Sequence, residues 1–140
     1  MSNNALITST NKDLAVYVHW NGGRDSVEAY LDYCHMHHFR SPETDSYGYA
    51  RLCQVLANFF GPEGLSVGVE PYPGDRAADD YDNGIYVIEN WQIVNRYPLL
   101  PREQKNHNHL ELLKAIDERQ PEAMQLGYDY ILSWSTSPKY

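Results

Sequence analysis

The sequence predicts an α+β fold: a mostly antiparallel sheet of four to five strands with three helices packed on one face. Three observations point there. Residues 14–20 alternate apolar and polar with period two, and two stretches of helical spacing follow at once. After them come short runs of β-branched and aromatic residues separated by turn formers, giving the order β-α-α-β-β-β-α-β.

Residues 1–12, MSNNALITSTNK, are largely polar and read as a flexible N-terminal arm before a single α+β domain over 13–140. From Leu14 one face carries Leu14, Val16, Val18 and Trp20, and the other carries Ala15, Tyr17 and His19. Asn21-Gly22-Gly23 ends this strand. Asp25 or Ser26 then caps a helix whose apolar positions Val27, Tyr30, Leu31 and Cys34 follow the i, i+3, i+4, i+7 spacing. In SPETD, residues 41–45, a capping serine, a proline at the first helical position and first-turn acids open a second helix. Tyr49, Leu52, Cys53, Leu56, Phe59 and Phe60 form its apolar stripe, and Gly61-Pro62 stops it.

Leu65, Val67 and Val69 alternate as the next strand, and PGDRAADDYDNG follows as an acidic loop. IYVIENWQIVNR reads as two strands around a tight turn near Glu89-Asn90. Past the connector YPLLPREQKN, Asn108 with Glu111 three residues on forms a capping box for a helix over His109–Arg119. A short turn runs from Pro121 to Gly127, and the alternation in YDYILSW predicts a last strand over 128–134.

The 140 residues are 42% hydrophobic and 21% charged, enough for one continuous core. No apolar run approaches the about 18 residues of a membrane span, and the start lacks the basic and apolar regions of a signal peptide. Cys34 and Cys53 lie in helical apolar patterns without a CxxC pair, as expected of reduced thiols in a cytoplasmic protein.

Net charge is −8, and it is concentrated. Residues 70–89 hold Glu70, Asp75, Asp79, Asp80, Asp82 and Glu89 against Arg76 alone, a local sum of −5. No basic patch is present to release counterions, so direct nucleic-acid binding is disfavoured and a basic partner is the natural complement. Twelve tyrosines suit a recognition surface or the interface of a homo-oligomer.

Among chemical motifs, the amides of Gly22 and Gly23, with Arg24, could hold an anion at a helix N-terminus beside His19 and Asn21. NGGRDS is neither GxGxxG nor GxxxxGK[ST], and Asp25 would repel a phosphate, so a plain corner is the simpler reading. Cys34 with His38, His35 with His38, and His107 with His109 have ligand-like spacing, but no HExxH or CxxC accompanies them. The acidic loop fails as an EF-hand: with Gly84 in register, Tyr81 and Asn90 occupy positions that need ligand oxygens. There is no GxSxG, and no residue earns a catalytic assignment. The expectation is therefore a chain with no cofactor and no metal, more naturally a binding protein than an enzyme.

His19-Trp20-Asn21-Gly22 at a strand end, with YGYARLCQVLANFF (47–60) and DNGIYVIENWQIVNR (82–96), resembles a group of small accessory proteins carried by phages, plasmids and integrative elements. The resemblance spans residues 15–96. It implies an accessory role such as that of a counter-defence, anti-CRISPR-type inhibitor occupying the basic, nucleic-acid-binding face of a host complex.

The expected partner surface is then Asp75, Asp79, Asp80, Tyr81, Asp82 and Glu89, facing a basic host protein. The alternative is a small-ligand site or small enzyme at the corner His19, Asn21, Gly22, Gly23 and Arg24.

Overall fold

The middle of the sheet is built by the segment expected to be a loose arm. In the computed structural model, which describes residues 2–98 and 107–137 without the side chains of residues 63 and 64, Ala5–Ser9 forms strand β1. It pairs antiparallel with β2 (Leu14–Val18) and parallel with β4 (Ile85–Glu89). With β3 (Val67–Pro71) outside β2 and β5 (Gln92–Tyr97) outside β4, the order is β3-β2-β1-β4-β5. All five β1 residues are buried. A strand covered on both faces has no polar-apolar alternation to betray it, which is why ALITS passed as an arm.

The fold is α+β, with one parallel pairing among the four in the sheet. Its α-helices are α1 (Arg24–Met36), α2 (Tyr47–Phe60), α3 (His109–Glu118) and α4 (Tyr128–Thr136). The main core lies between them and one sheet face. Ala5, Ile7, Val16, Val18, Tyr86 and Ile88 meet Tyr30, Leu31, Leu52, Leu56 and Ile116 there. Each of the Val, Leu and Ile side chains among them contributes about 1.5–3 kcal/mol on burial. The opposite face carries a smaller cluster of Leu6, Ala15, Ile85 and Ala78, flanked by Tyr17, Tyr72, Tyr81 and Tyr97.

Local signals account for most boundaries. Val27, Tyr30, Leu31 and Cys34 are all buried, as their spacing requires. Neither Asp25 nor Ser26 caps α1, however; the N-cap is Gly23 in an extended conformation. The second helix begins at Tyr47 rather than in SPETD. There, residues 41–45 make a turn in which Ser41 Oγ accepts the Trp91 N–H at 3.2 Å and the Ser41 carbonyl accepts the Thr44 N–H at 2.9 Å. Gly61, at φ 62°, stops α2.

The β4–β5 turn uses Asn90 and Trp91, both at positive φ, the conformation that a two-residue hairpin of native twist needs. Asn108 caps α3, its side chain accepting the Glu111 N–H at 3.0 Å. The strand expected over 128–134 is instead α4. Ile131 is its one buried residue, and Trp134 packs on the His35 ring with centroids 5.6 Å apart. Most of the connector expected over 97–106 lies outside the described residues. Among the described residues, no helix is long and apolar enough to cross a membrane.

Candidate functional site

The Asn21-Gly22-Gly23 corner is a joint within the fold. The Gly22 N–H donates to the Asn3 carbonyl at 2.7 Å, and the Asn3 N–H donates to the His19 carbonyl at 3.0 Å. The Gly22 carbonyl accepts the Tyr86 hydroxyl at 2.8 Å, and the Asn21 carbonyl accepts that of Tyr30 at 3.0 Å. A Cβ on Gly22 would stand 2.6 Å from the Asn3 carbonyl oxygen, so only glycine admits this approach. The tetrad His19-Trp20-Asn21-Gly22 thus brackets the residue that leads into β1. The Gly22 amide that an anion would need is already engaged.

The other ligand candidates scatter from that corner. Arg24 turns toward Glu28, 3.7 Å away, in a cleft of about 410 Å³ that also holds Asp32, Gln92, Trp91 and His109. The ionisable groups there pair with one another, His109 Nε2 lying 2.8 Å from Asp32. His19 points to the other face of the sheet, where its Nδ1 lies 2.6 Å from the Tyr17 hydroxyl.

The histidine pairs lose their helical spacing because α1 ends at Met36 and His38 adopts φ 60°. Among the described residues, no three His, Cys, Asp or Glu side chains come together as a metal site. Burial pushes the Cys34 thiol well above the ordinary range, so it is no ready thiolate.

The acidic segment is more organised than a loop. Asp75–Asp80 is a 3-10 turn laid over the helix-free face of the sheet, its own Ala78 buried against Leu6, Ala15 and Ile85. One end is clamped where Asp75 accepts the Tyr72 hydroxyl and pairs with Lys12 Nζ at 3.1 Å. Lys12 in turn donates to the Tyr97 hydroxyl at 3.2 Å. The bond from Tyr72 and the charge of Lys12 hold the Asp75 carboxyl below the usual carboxylate range.

Tyr81 clamps the other end, donating to Glu70 at 3.2 Å, with its ring centroid 6.2 Å from that of Tyr17. Burial, with Glu70 beside it, pushes the Tyr81 phenol up to about 12, so it stays protonated and donating. Asp82 accepts the Ser2 hydroxyl at 2.6 Å, which lowers its pKa, and its N–H donates to the Asn4 side chain at 2.7 Å.

The six acidic and tyrosine candidates therefore divide. Asp75, Asp82 and Tyr81 fasten the turn. Glu89 stands apart at the end of β4, 3.5 Å from the Thr10 hydroxyl. Asp79 and Asp80 are exposed, and their side chains form no hydrogen bond or ion pair among the described residues. These roles do not show in the sequence, because Asp75 and Asp82 are fastened by Lys12 and Ser2, more than sixty residues away in the chain.

One feature of this face escaped sequence reading. Beside β3 lies a groove of about 330 Å³ lined by Tyr17, His19, Leu65, Ser66, Val67 and Gly68. Gly68 leaves it open, since the nearest atom to a Cβ there would be that of Tyr17, 4.0 Å away. Leu65, at 96% exposure, stands at its rim.

Comparison with known protein families, with curated proteins and with solved structures finds no match to this chain.

Proposed function

We propose that this chain is a non-enzymatic binding protein whose acidic turn engages a basic surface of a protein partner. One observation carries the reading. Asp79 and Asp80 stand exposed, with no side-chain partner among the described residues, on a turn that Asp75, Tyr72 and Tyr81 clamp to the sheet. Fixed, unpaired charge on a rigid support raises encounter rates with an opposite charge and loses little entropy on docking. The chain's net charge of −8 acts in the same direction.

The resemblance to phage, plasmid and integrative-element proteins extends the proposal to a counter-defence role. In it the partner is a host complex whose basic face otherwise holds nucleic acid, the acidic turn competing for the same cations. The Gly22 contacts weigh against the anion-binding alternative, since that amide already has an acceptor.

The test replaces Asp79 and Asp80 by lysine and leaves the clamping residues untouched. With a lysine-rich peptide as probe, association at low salt should slow by about tenfold and lose most of its salt dependence. Unchanged association would refute the proposal.

A further inference from the structure

Edge strands present a row of unpaired backbone groups, and natural proteins usually break such rows with bulges, prolines or cover. The two edges of this sheet differ. The β4–β5 register is interrupted by an irregularity between Val87 and Ile88, whereas β3 pairs with β2 without a break from Val67 to Pro71. The Tyr72 N–H bonds the Asp13 carbonyl at 3.0 Å. Counting back in the period-two alternation of an antiparallel ladder, Pro71, Val69 and Val67 direct their backbone groups away from the sheet. Pro71 has no N–H to offer, so the recruiting run is Val67–Val69.

The two faces beside this edge differ in chemistry. On the helix side Val69 is 55% exposed. On the other side lie Gly68, with the groove above it, and Glu70, which receives the Tyr81 hydroxyl. We infer that β3 recruits an extended, alternating basic-apolar segment of the partner as a sixth strand.

Its apolar side chains cover Val69. A lysine stem lies over the Gly68 notch, along the groove that the hydrogen-bonded Tyr17 and His19 rings help to line, and its ammonium reaches Glu70 and the acidic turn beyond. Charge favours this occupant over a second copy of the chain, which would bring another net −8 and another Glu70 to the same edge. The inference rests on the acidic-partner reading above and adds to it a docking geometry.

The test uses a synthetic alternating lysine-valine peptide and the same peptide N-methylated on alternate amides, which keeps its charge but cannot pair as a strand. The expected result is tighter binding of the unmethylated peptide, by about tenfold, with the Val67 and Val69 amide resonances shifting first. Val69→Pro removes one outward N–H and should abolish that preference while leaving the weaker binding of the methylated peptide intact. Equal binding of both peptides to the wild-type chain overturns strand addition and leaves the acidic-partner reading standing. Binding of neither overturns both. A free chain that sediments as a dimer and dissociates on Val69→Pro gives the edge to a second copy and overturns the inference.

Discussion

Tyr33 on α1 donates a 2.6 Å hydrogen bond to Asp117 on α3, and the same carboxylate accepts the N–H groups of Leu126 and Gly127 at 2.7 and 3.0 Å. Asp117 is buried, so this one side chain joins two helices and fixes the entry into α4. Truncating it strands three donors away from water. Asp117→Ala should cost about 2–4 kcal/mol in urea unfolding, and Tyr33→Phe about 1 kcal/mol. The double variant should fall short of the sum, as expected for groups that share a bond.

His37 stacks on Phe39 with ring planes 5° apart and lies 3.2 Å from the Tyr33 hydroxyl. Burial lowers its pKa from the ordinary histidine value. The unfolded chain protonates this residue near pH 6.5 while the folded chain resists. Stability is thus fully present above that pH and falls as the solution is acidified through the depressed folded value. His37→Gln should flatten the loss of stability between pH 7 and pH 5 relative to the wild type. Parallel profiles would remove His37 from the account.

Two glycines should respond oppositely to alanine. At Gly22 the new methyl meets the Asn3 backbone at 2.6 Å, and the joint must open, costing on the order of 2 kcal/mol. At Gly68 the methyl meets nothing closer than 4.0 Å, and folding should be unaffected or slightly improved. Thermal melts of the two variants separate the corner that builds the fold from the notch that leaves space.

Cys34 is fully buried and its thiol is raised by that burial, while Cys53 is only half-buried, with a smaller upward push. A disulfide reagent applied to the native chain should modify Cys53 slowly and Cys34 only on unfolding. Rapid titration of both thiols would contradict the packing of α1 against α2.

Replacing Ile7 by alanine probes the strand that sequence periodicity concealed. A residue in a loose arm would tolerate the change. At the centre of the sheet it should cost about 2–5 kcal/mol.

What was legible in the sequence follows from exposure. Helices α1 and α2 each keep a wet side, and β2 alternates Leu14, Val16 and Val18 with Ala15 and the polar-tipped Tyr17, so their periods appear in Leu14–Val18, Val27–Cys34 and Leu52–Phe60. Strand β1 has no wet side and α4 buries only Ile131, so in neither does the pattern of side chains report the backbone. The charge concentration over residues 70–89 was visible as composition. Which acids are tied down also depends on Lys12, which pairs with Asp75, and on Ser2, which donates to Asp82, residues distant in the chain that only the sheet order brings near.

The parallel pairing of β1 with β4 has a consequence for synthesis. The ribosome delivers β1 first and β4 only after α1, α2 and β3. A hairpin of β1 and β2 can close early, but the far side of β1 waits through the making of more than half the chain. During that interval the future centre of the sheet is its outermost strand. Until β4 emerges, an apolar strand edge stays open to other chains, so yield should fall first where nascent chains are most concentrated.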